Sequence, residues 1–201
     1  MFTLYTLVDV YGVNKMEVAE GGLRPRLIEA AIALLDREGE SGMTLRALAK
    51  ATGVSAMAPY RHFPDKAALL GAVAEAGFAE LAAALAEADQ AETAKAALVA
   101  QGLAYFRFAQ ARPALFRLMF GGTPACDAPP KEYGEAFAIL SRRVASLAGG
   151  APGPATIAAW GVVHGLATLA LDGKLPAEEG VIRAAVGLVA DGIAGAQPRN
   201  G

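Results

Sequence analysis

Thr44-Leu-Arg-Ala-Leu-Ala-Lys-Ala-Thr-Gly-Val-Ser-Ala-Met-Ala-Pro-Tyr-Arg-His-Phe-Pro-Asp-Lys66 is the stretch on which the fold turns. It holds two short amphipathic runs separated by one glycine. Thr44 is a good N-cap, because its hydroxyl oxygen can take a backbone N–H of the first turn. Leu45, Leu48 and Ala49 then fall on one side of a short helix. Gly53 follows where a tight turn needs a residue tolerant of positive φ. Ser55 can cap a further short helix ending near Phe63, and Pro64-Asp65 opens the next, with proline in its first turn and a carboxylate at the positive dipole end. Two short helices joined by a glycine turn are helix-turn-helix geometry once neighbouring helices bury their apolar sides, and the second of the pair can enter a DNA major groove.

The neighbours are present on both sides. Upstream, Leu27, Ile28, Ala31, Leu34 and Leu35 share one face of a helix running from about Arg24 to Arg37, broken by Gly39 and Gly42. Downstream, Leu69, Leu70, Val73, Gly77, Phe78, Leu81 and Leu85 form a stripe long enough to carry a fourth helix out of the first domain. Helical patterns continue: one with Leu98, Tyr105, Phe106 and Phe108 stopping near Pro113, a short apolar one from Leu115 to Phe120, and one from Glu132 to Ala148. Gly121 to Pro130 and Gly149 to Pro154 read as breaks, and Gln197 to Gly201 as a fraying end. Two final stripes, Ile157, Trp160, Val163, His164, Ala167, Leu171 and Ile182, Val186, Val189, Ile193, complete the chain. No run alternates as a strand does, and no internal repeat is present. The expected architecture is all-α: a three-helix helix-turn-helix domain over residues 21–68 and a helical effector and dimerisation bundle over 69–201, preceded by a flexible arm, 1–20.

Composition fits that reading. The chain is 54% hydrophobic and only 19% charged, with much of the apolar content in helix-favouring alanine. A net charge of −2 argues against a general nucleic-acid coat but not against a local basic face. The single cysteine, Cys126, permits neither an intrachain disulfide nor a zinc cluster, and no basic neighbours activate it as a redox sensor. His62 and His164 are not in metal-ligand spacing; no metal and no cofactor are expected. Met1 to Val13 is apolar but carries Asp9 and lacks the basic start and cleavage site of a signal peptide. It reads as a disordered arm or as an over-extended start with Met16 the initiator, the second slightly preferred. No other segment is expected to reach membrane-spanning length without charge, and a reducing cytoplasm is the expected location with no membrane partner.

Around the two short helices, Arg46, Lys50, Arg61, His62 and Lys66 suit phosphate contacts, and Thr44 and Ser55 sit at helix N-termini whose N–H groups can also meet phosphate. Against catalysis, there is no carboxylate pair with histidine, no phosphate-binding glycine loop and no plausible triad. The rival reading is a helical-bundle carrier or enzyme without DNA activity. Salt-sensitive DNA binding would separate the two.

The same residues resemble the DNA-binding domain of the tetracycline-repressor (TetR/AcrR) family. The matching features are Thr44 with Leu48-Ala49, Gly53-Val54-Ser55, Tyr60-Arg61-His62-Phe63-Pro64-Asp65-Lys66 and Leu69-Leu70, which with the first helix span residues 24 to about 70 in order. The resemblance implies that the third helix reads the groove and that Tyr60, His62 and Lys66 contact phosphate. It also implies a homodimer held by the last two helices as a four-helix bundle. Such a dimer presents its recognition helices about 34–36 Å apart to a palindromic operator. A small-molecule effector would release it by shifting the fourth helix. Trp160-x-x-x-His164-Gly165-Leu166 further looks like a subgroup whose effector domain carries a Trp…His-Gly signature. One departure is Pro59, which removes a backbone donor inside the expected recognition helix, so that either the helix starts late, near Met57, or its first turn is distorted. Ala56, Met57 and Ala58 are small or apolar, so direct readout there rests on thymine methyl contacts more than hydrogen bonds.

Other residues have a plain reading beside the functional one. Phe63 reads as core, Tyr60 as a phosphate contact beside basic neighbours, and Arg46 and Lys50 equally as phosphate contacts or a solvated face. Tyr105, Phe106, Phe108, Phe116, Met119, Phe120 and Phe137 are each ordinary core alone but dense enough together to line an apolar effector cavity. Arg107, Arg112 and Arg117 could orient an anion, though surface placement is the simpler expectation. Trp160 and His164, one turn apart, are a ligand-facing pair or a buried tryptophan with a histidine satisfied by a backbone carbonyl, the second preferred.

Overall fold

The structure, a computed structural model, describes residues 22–121, 134–150 and 153–196; within them it is all helical. The arm at 1–20, Met16 and Cys126 lie outside the described residues.

Helix α1, Leu23–Gly42, buries Leu27, Ala31, Leu34 and Leu35 as its periodicity demands. The expected break at Gly39 is a kink rather than an end: Gly39 takes φ 68°, and the chain resumes one more turn before Met43. Helix α2, Leu45–Thr52, is capped by Thr44, whose Oγ1 accepts the Ala47 N–H at 3.1 Å. It ends at Gly53, which takes φ 69° so that its N–H can reach back to the carbonyls of the last turn.

The third helix is where the structure departs from the sequence. Instead of a regular helix capped by Ser55, residues 55–63 form a turn followed by one 3-10 turn, Pro59–Arg61, preceded by Ala58 with no side-chain cap. Pro59 is the reason. In an α-helix its N–H would bond the Ser55 carbonyl; lacking it, the chain tightens and Ala58 N–H takes that carbonyl at 2.9 Å. Arg61 then bonds Ala58, and His62 and Phe63 both bond Pro59.

Helix α3, Lys66–Ala88, starts at Asp65, whose Oδ1 accepts the Ala68 N–H at 2.8 Å, so Pro64 stands just before the cap rather than in the first turn. This single helix runs through the expected boundary at 68/69 and into the bundle. There it meets α4, Ala94–Ala111, α5, Pro113–Phe120, and α6, Gly134–Ala148; α7, Gly153–Leu171, and α8, Glu179–Gly195, close the other side of α4. Helix α4 is the central element, packed on α3, α6, α7 and α8. It runs antiparallel to α8, with Lys95 paired to Asp191, Gly102 beneath Val186, and Arg107 to Glu179. Gly102 is needed there, since a Cβ would stand 2.8 Å from the Val186 side chain.

The expectation about membrane-length segments is corrected. Helices α3 and α7 are both long and apolar enough to cross a membrane by length and composition, and α7 contains no Asp, Glu, Lys or Arg. Half of the α3 window is buried within the protein, but only 22% of the α7 window is. The lack of charge on α7 therefore reflects a face that its own chain leaves uncovered.

Candidate DNA-reading surface and aromatic site

Pro59 and Phe63 are buried one turn apart and pin the recognition segment to the core. Phe63 belongs to the same buried apolar cluster as Leu27, Met43, Leu48 and Leu69. With those two anchored inward, Ser55, Ala56, Met57, Tyr60 and Arg61 turn outward, and Thr44, Arg46 and Lys50 from α2 are exposed with them. His62 and Lys66 are half-buried, and Lys66 Nζ donates to the Glu40 carbonyl at 2.6 Å, tying the start of α3 to the end of α1. Each expected DNA-contact residue thus lies on or beside the helix-turn-helix, although the element carrying most of them is not an α-helix. The sequence reading missed Arg24, whose guanidinium lies over the Phe63 ring, 5.4 Å from its centre, and ties the start of α1 to the recognition segment. The signal was an arginine at a helix start, which carries no hint of its partner.

The second constellation lies between α4, α5 and α7. Tyr105 donates its hydroxyl hydrogen to His164 Nδ1 at 2.8 Å and accepts the Trp160 indole N–H at 3.4 Å. Tyr105 is 5% exposed and its O–H needs an acceptor, which fixes His164 as the tautomer with its proton on Nε2. The imidazole is satisfied by a phenol from another helix, not by the backbone carbonyl expected. Around it the rings close in: Phe116 stacks on His164 at 5.4 Å, Phe120 stands on it at 4.9 Å, and Phe137 meets Trp160 edge-on at 6.0 Å. Met119 is buried against Gly77 of α3 on the next face of α5. Phe106 is buried too, but among the described ring contacts it makes none, because α4 turns it away from the side that carries Tyr105. Burial pushes the Tyr105 phenol well above its ordinary range and holds His164 below its ordinary value.

No arginine supplies charge to this site. Arg107 is exposed and forks onto Glu179, Arg117 is exposed on Asp172, and Arg112 reaches both Glu80 of α3 and Asp36 of α1. The surface placement expected for the three is found for Arg107 and Arg117. Arg112 is instead a half-buried bridge from the bundle to α1.

Residues 27–73 match the profile of bacterial regulatory proteins of the tetR family, and residues 98–191 that of the tetracyclin repressor-like C-terminal domain. The two matches fall on the two halves of this architecture and together cover most of it. The chain belongs to the TetR family. It is a TetR-family DNA-binding transcriptional regulator, similar to a protein of unknown function from Rhodococcus sp. RHA1 (37% identity, TM-score 0.75) over 87% of this chain and 96% of that one. Two further solved members share the fold at 24% identity. One is the regulator SCO7222 from Streptomyces coelicolor, TM-score 0.67, covering 87% of this chain and 99% of that one. The other is a TetR variant from Acinetobacter baumannii AYE in complex with minocycline, TM-score 0.60, covering 86% and 94%. The class A tetracycline repressor from Escherichia coli transposon 1721 is 50% identical over 54 residues, a match that spans 27% of this chain and only 25% of that repressor's length.

In this TetR-family chain the aromatic site carries its own reporter, because Trp160 is the only tryptophan. Its ring centre lies 5.9 Å from that of His164. Since folding holds the imidazole below its ordinary value of 6.5, the unfolded chain binds the proton first as pH falls. His164 therefore costs no stability above that value. Stability declines as pH drops from it toward the lower folded pKa, and the Tyr105 hydrogen bond breaks when Nδ1 protonates. Trp160 emission is expected to change with an apparent pKa below 6.5, and that step is expected to vanish in His164→Asn; a step at or above 6.5 would contradict the buried acceptor role.

Proposed function

We propose that the protein is a homodimeric repressor that binds a palindromic operator and is released by a small, mainly apolar effector, acting in the cytoplasm without a cofactor or catalytic step. The observation that carries this reading is the pair of uncovered faces on one chain. Cations and two large apolar side chains stand on the helix-turn-helix, and exposed Ile157, Leu169, Val181 and Leu188 stand on α7 and α8. The first face suits DNA and the second a further copy of the chain. Thr44, Arg46, Ser55, Ala56, Met57, Tyr60, Arg61, His62 and Lys66 are assigned to the operator. The functional division is residues 21–68 for DNA and 69–201 for effector and partner.

The effector is assigned to the ring cluster of Tyr105, Phe116, Phe120, Phe137, Trp160 and His164, with Phe106 and Met119 in the surrounding wall. The Trp160–His164–Gly165 run supports a subgroup with that signature. Arg112 gives the coupling a physical path, since a ligand that separates α5 from α4 shifts a side chain held by both Asp36 and Glu80.

A fluorescence-anisotropy titration of the full chain against duplexes enriched from a random pool, at 50 and 200 mM salt, tests the reading. A dimer making about six phosphate contacts is expected to lose about 10³-fold in affinity between the two. A folded protein that enriches no duplex, yet binds apolar molecules with a change in Trp160 emission, would favour the carrier reading instead.

A further inference from the structure

Large apolar side chains that stay exposed among the described residues fall into two groups: Ile157, Leu169, Val181 and Leu188 on α7 and α8, and Met57 and Tyr60 in the recognition segment. Met57 is 66% exposed, at the crest of the turn that Ala58 N–H closes onto Ser55. Buried Pro59 closes this turn, with Met57, two residues before it, held outward and Phe63 held inward. Arg46 and Lys50 on α2 and Arg61 beyond Pro59 are exposed too. Cations suit the phosphate backbone, which leaves Ser55–Ala58, at the centre of the motif in sequence, for base edges.

That centre is poor in hydrogen-bonding groups. Of Ser55, Ala56, Met57 and Ala58, only the serine has a polar side chain, and a hydroxyl bonds either base of a pair indifferently. Guanine is picked out by a forked donor and adenine by an amide, and none of these four residues carries either. Thymine alone offers carbon in the major groove, its C5-methyl group. An unbranched, polarisable thioether on a rigid turn is suited to cover such a methyl without exact register.

Resting on the operator reading above, we propose that Met57, with Ala56 beside it, reads a thymine methyl group in each operator half-site, and that this apolar contact sets the base preference there. Cytosine methylated at C5 presents the same methyl and is a partial substitute.

The test uses the full-length protein and its best duplex from a random pool. Each thymine in turn is replaced by deoxyuridine, which removes the methyl and nothing else. At one symmetry-related pair of positions the loss is expected to be about fourfold per half-site, and about tenfold or more for both. Cytosine there is expected to bind more weakly than thymine, and 5-methylcytosine to recover part of the difference. Met57→Ala removes an exposed side chain and is expected to leave the melting temperature unchanged. It is expected to bind the thymine duplex as weakly as the wild type binds the deoxyuridine duplex, and not to distinguish the two. Insensitivity to deoxyuridine at every thymine, or undiminished discrimination in Met57→Ala, would overturn the inference while leaving the operator reading intact. A folded protein that enriches no duplex would overturn the operator reading, and this one with it.

Discussion

Leu188→Glu is expected to convert the protein to a monomer at micromolar concentration and to weaken operator binding by about 10²-fold or more. Leu188 is 74% exposed near the middle of α8, and Val181, two turns earlier on the same stripe, is exposed too. On α7 the positions Ile157, Gly161, Gly165 and Leu169 recur every four residues, the two ends exposed and large, the two centres without side chains. Glycine inside a helix costs about 1 kcal/mol relative to alanine, and here a Cβ at Gly161 or Gly165 would meet nothing within the chain. Positions that waste helix stability inside one chain make sense where a second backbone approaches closely. A two-fold interface repeats every substitution, so glutamate would place two carboxylates in an apolar contact. Sedimentation velocity and anisotropy titration measure both consequences. Each half-site would then be held by one reading unit alone, and the affinity gained by linking two is lost. A variant that stays dimeric with unchanged operator affinity would remove α7 and α8 from the interface.

What the sequence made legible was local. Thr44 and Gly53 announced their roles because a cap and a left-handed turn depend on one residue and its immediate neighbours. The apolar stripes placed the helices for the same reason. The recognition segment was legible only as a choice, because capping and periodicity at Ser55–Phe63 favour a helix while the missing N–H at Pro59 allows a late start or a distorted turn, and the distorted turn is found. The aromatic site was half legible. Spacing put Trp160 and His164 on one face, but a partner 59 residues earlier, Tyr105, leaves no local trace. Density alone swept in Phe106, whose neighbour in sequence belongs to the cluster and which does not itself join its ring contacts. Arg112 was read as a surface residue because its two acceptors, Asp36 and Glu80, come together only when α1 and α3 pack beside the α4–α5 junction. The uncharged length of α7 is not explained by its buried stripe of Val163 and Ala167, because it also includes the exposed face.

Phe63→Ala is expected to abolish operator binding by unfolding the reading unit while leaving the bundle in place. The Phe63 ring is 1% exposed, lies under Arg24 of α1, and shares a buried apolar cluster with Leu27, Met43, Leu48 and Leu69. Truncating a buried phenylalanine costs about 3–5 kcal/mol, against a total stability of about 5–15 kcal/mol for a whole protein. A small unit with few large side chains cannot absorb such a loss. The backbone offers little reserve, because the described hydrogen bonds of Ser55–Phe63 are local turns, and Pro59 and Phe63 are its buried anchors. Losing one anchor frees the chain that carries Met57, Tyr60 and Arg61. The position of Trp160 in the bundle allows the two parts to be followed separately. Circular dichroism is expected to show an early loss of helix on heating, whereas Trp160 emission keeps a later transition near that of the wild type. Phe63→Leu, which fills most of the same space, is expected to restore much of both the early transition and the DNA affinity. A Phe63→Ala protein that melts in one step with wild-type operator affinity would mean that the ring holds nothing in place. One that melts in one step at a much lower temperature, by both probes, would instead mean that α3 couples the two parts into a single cooperative unit.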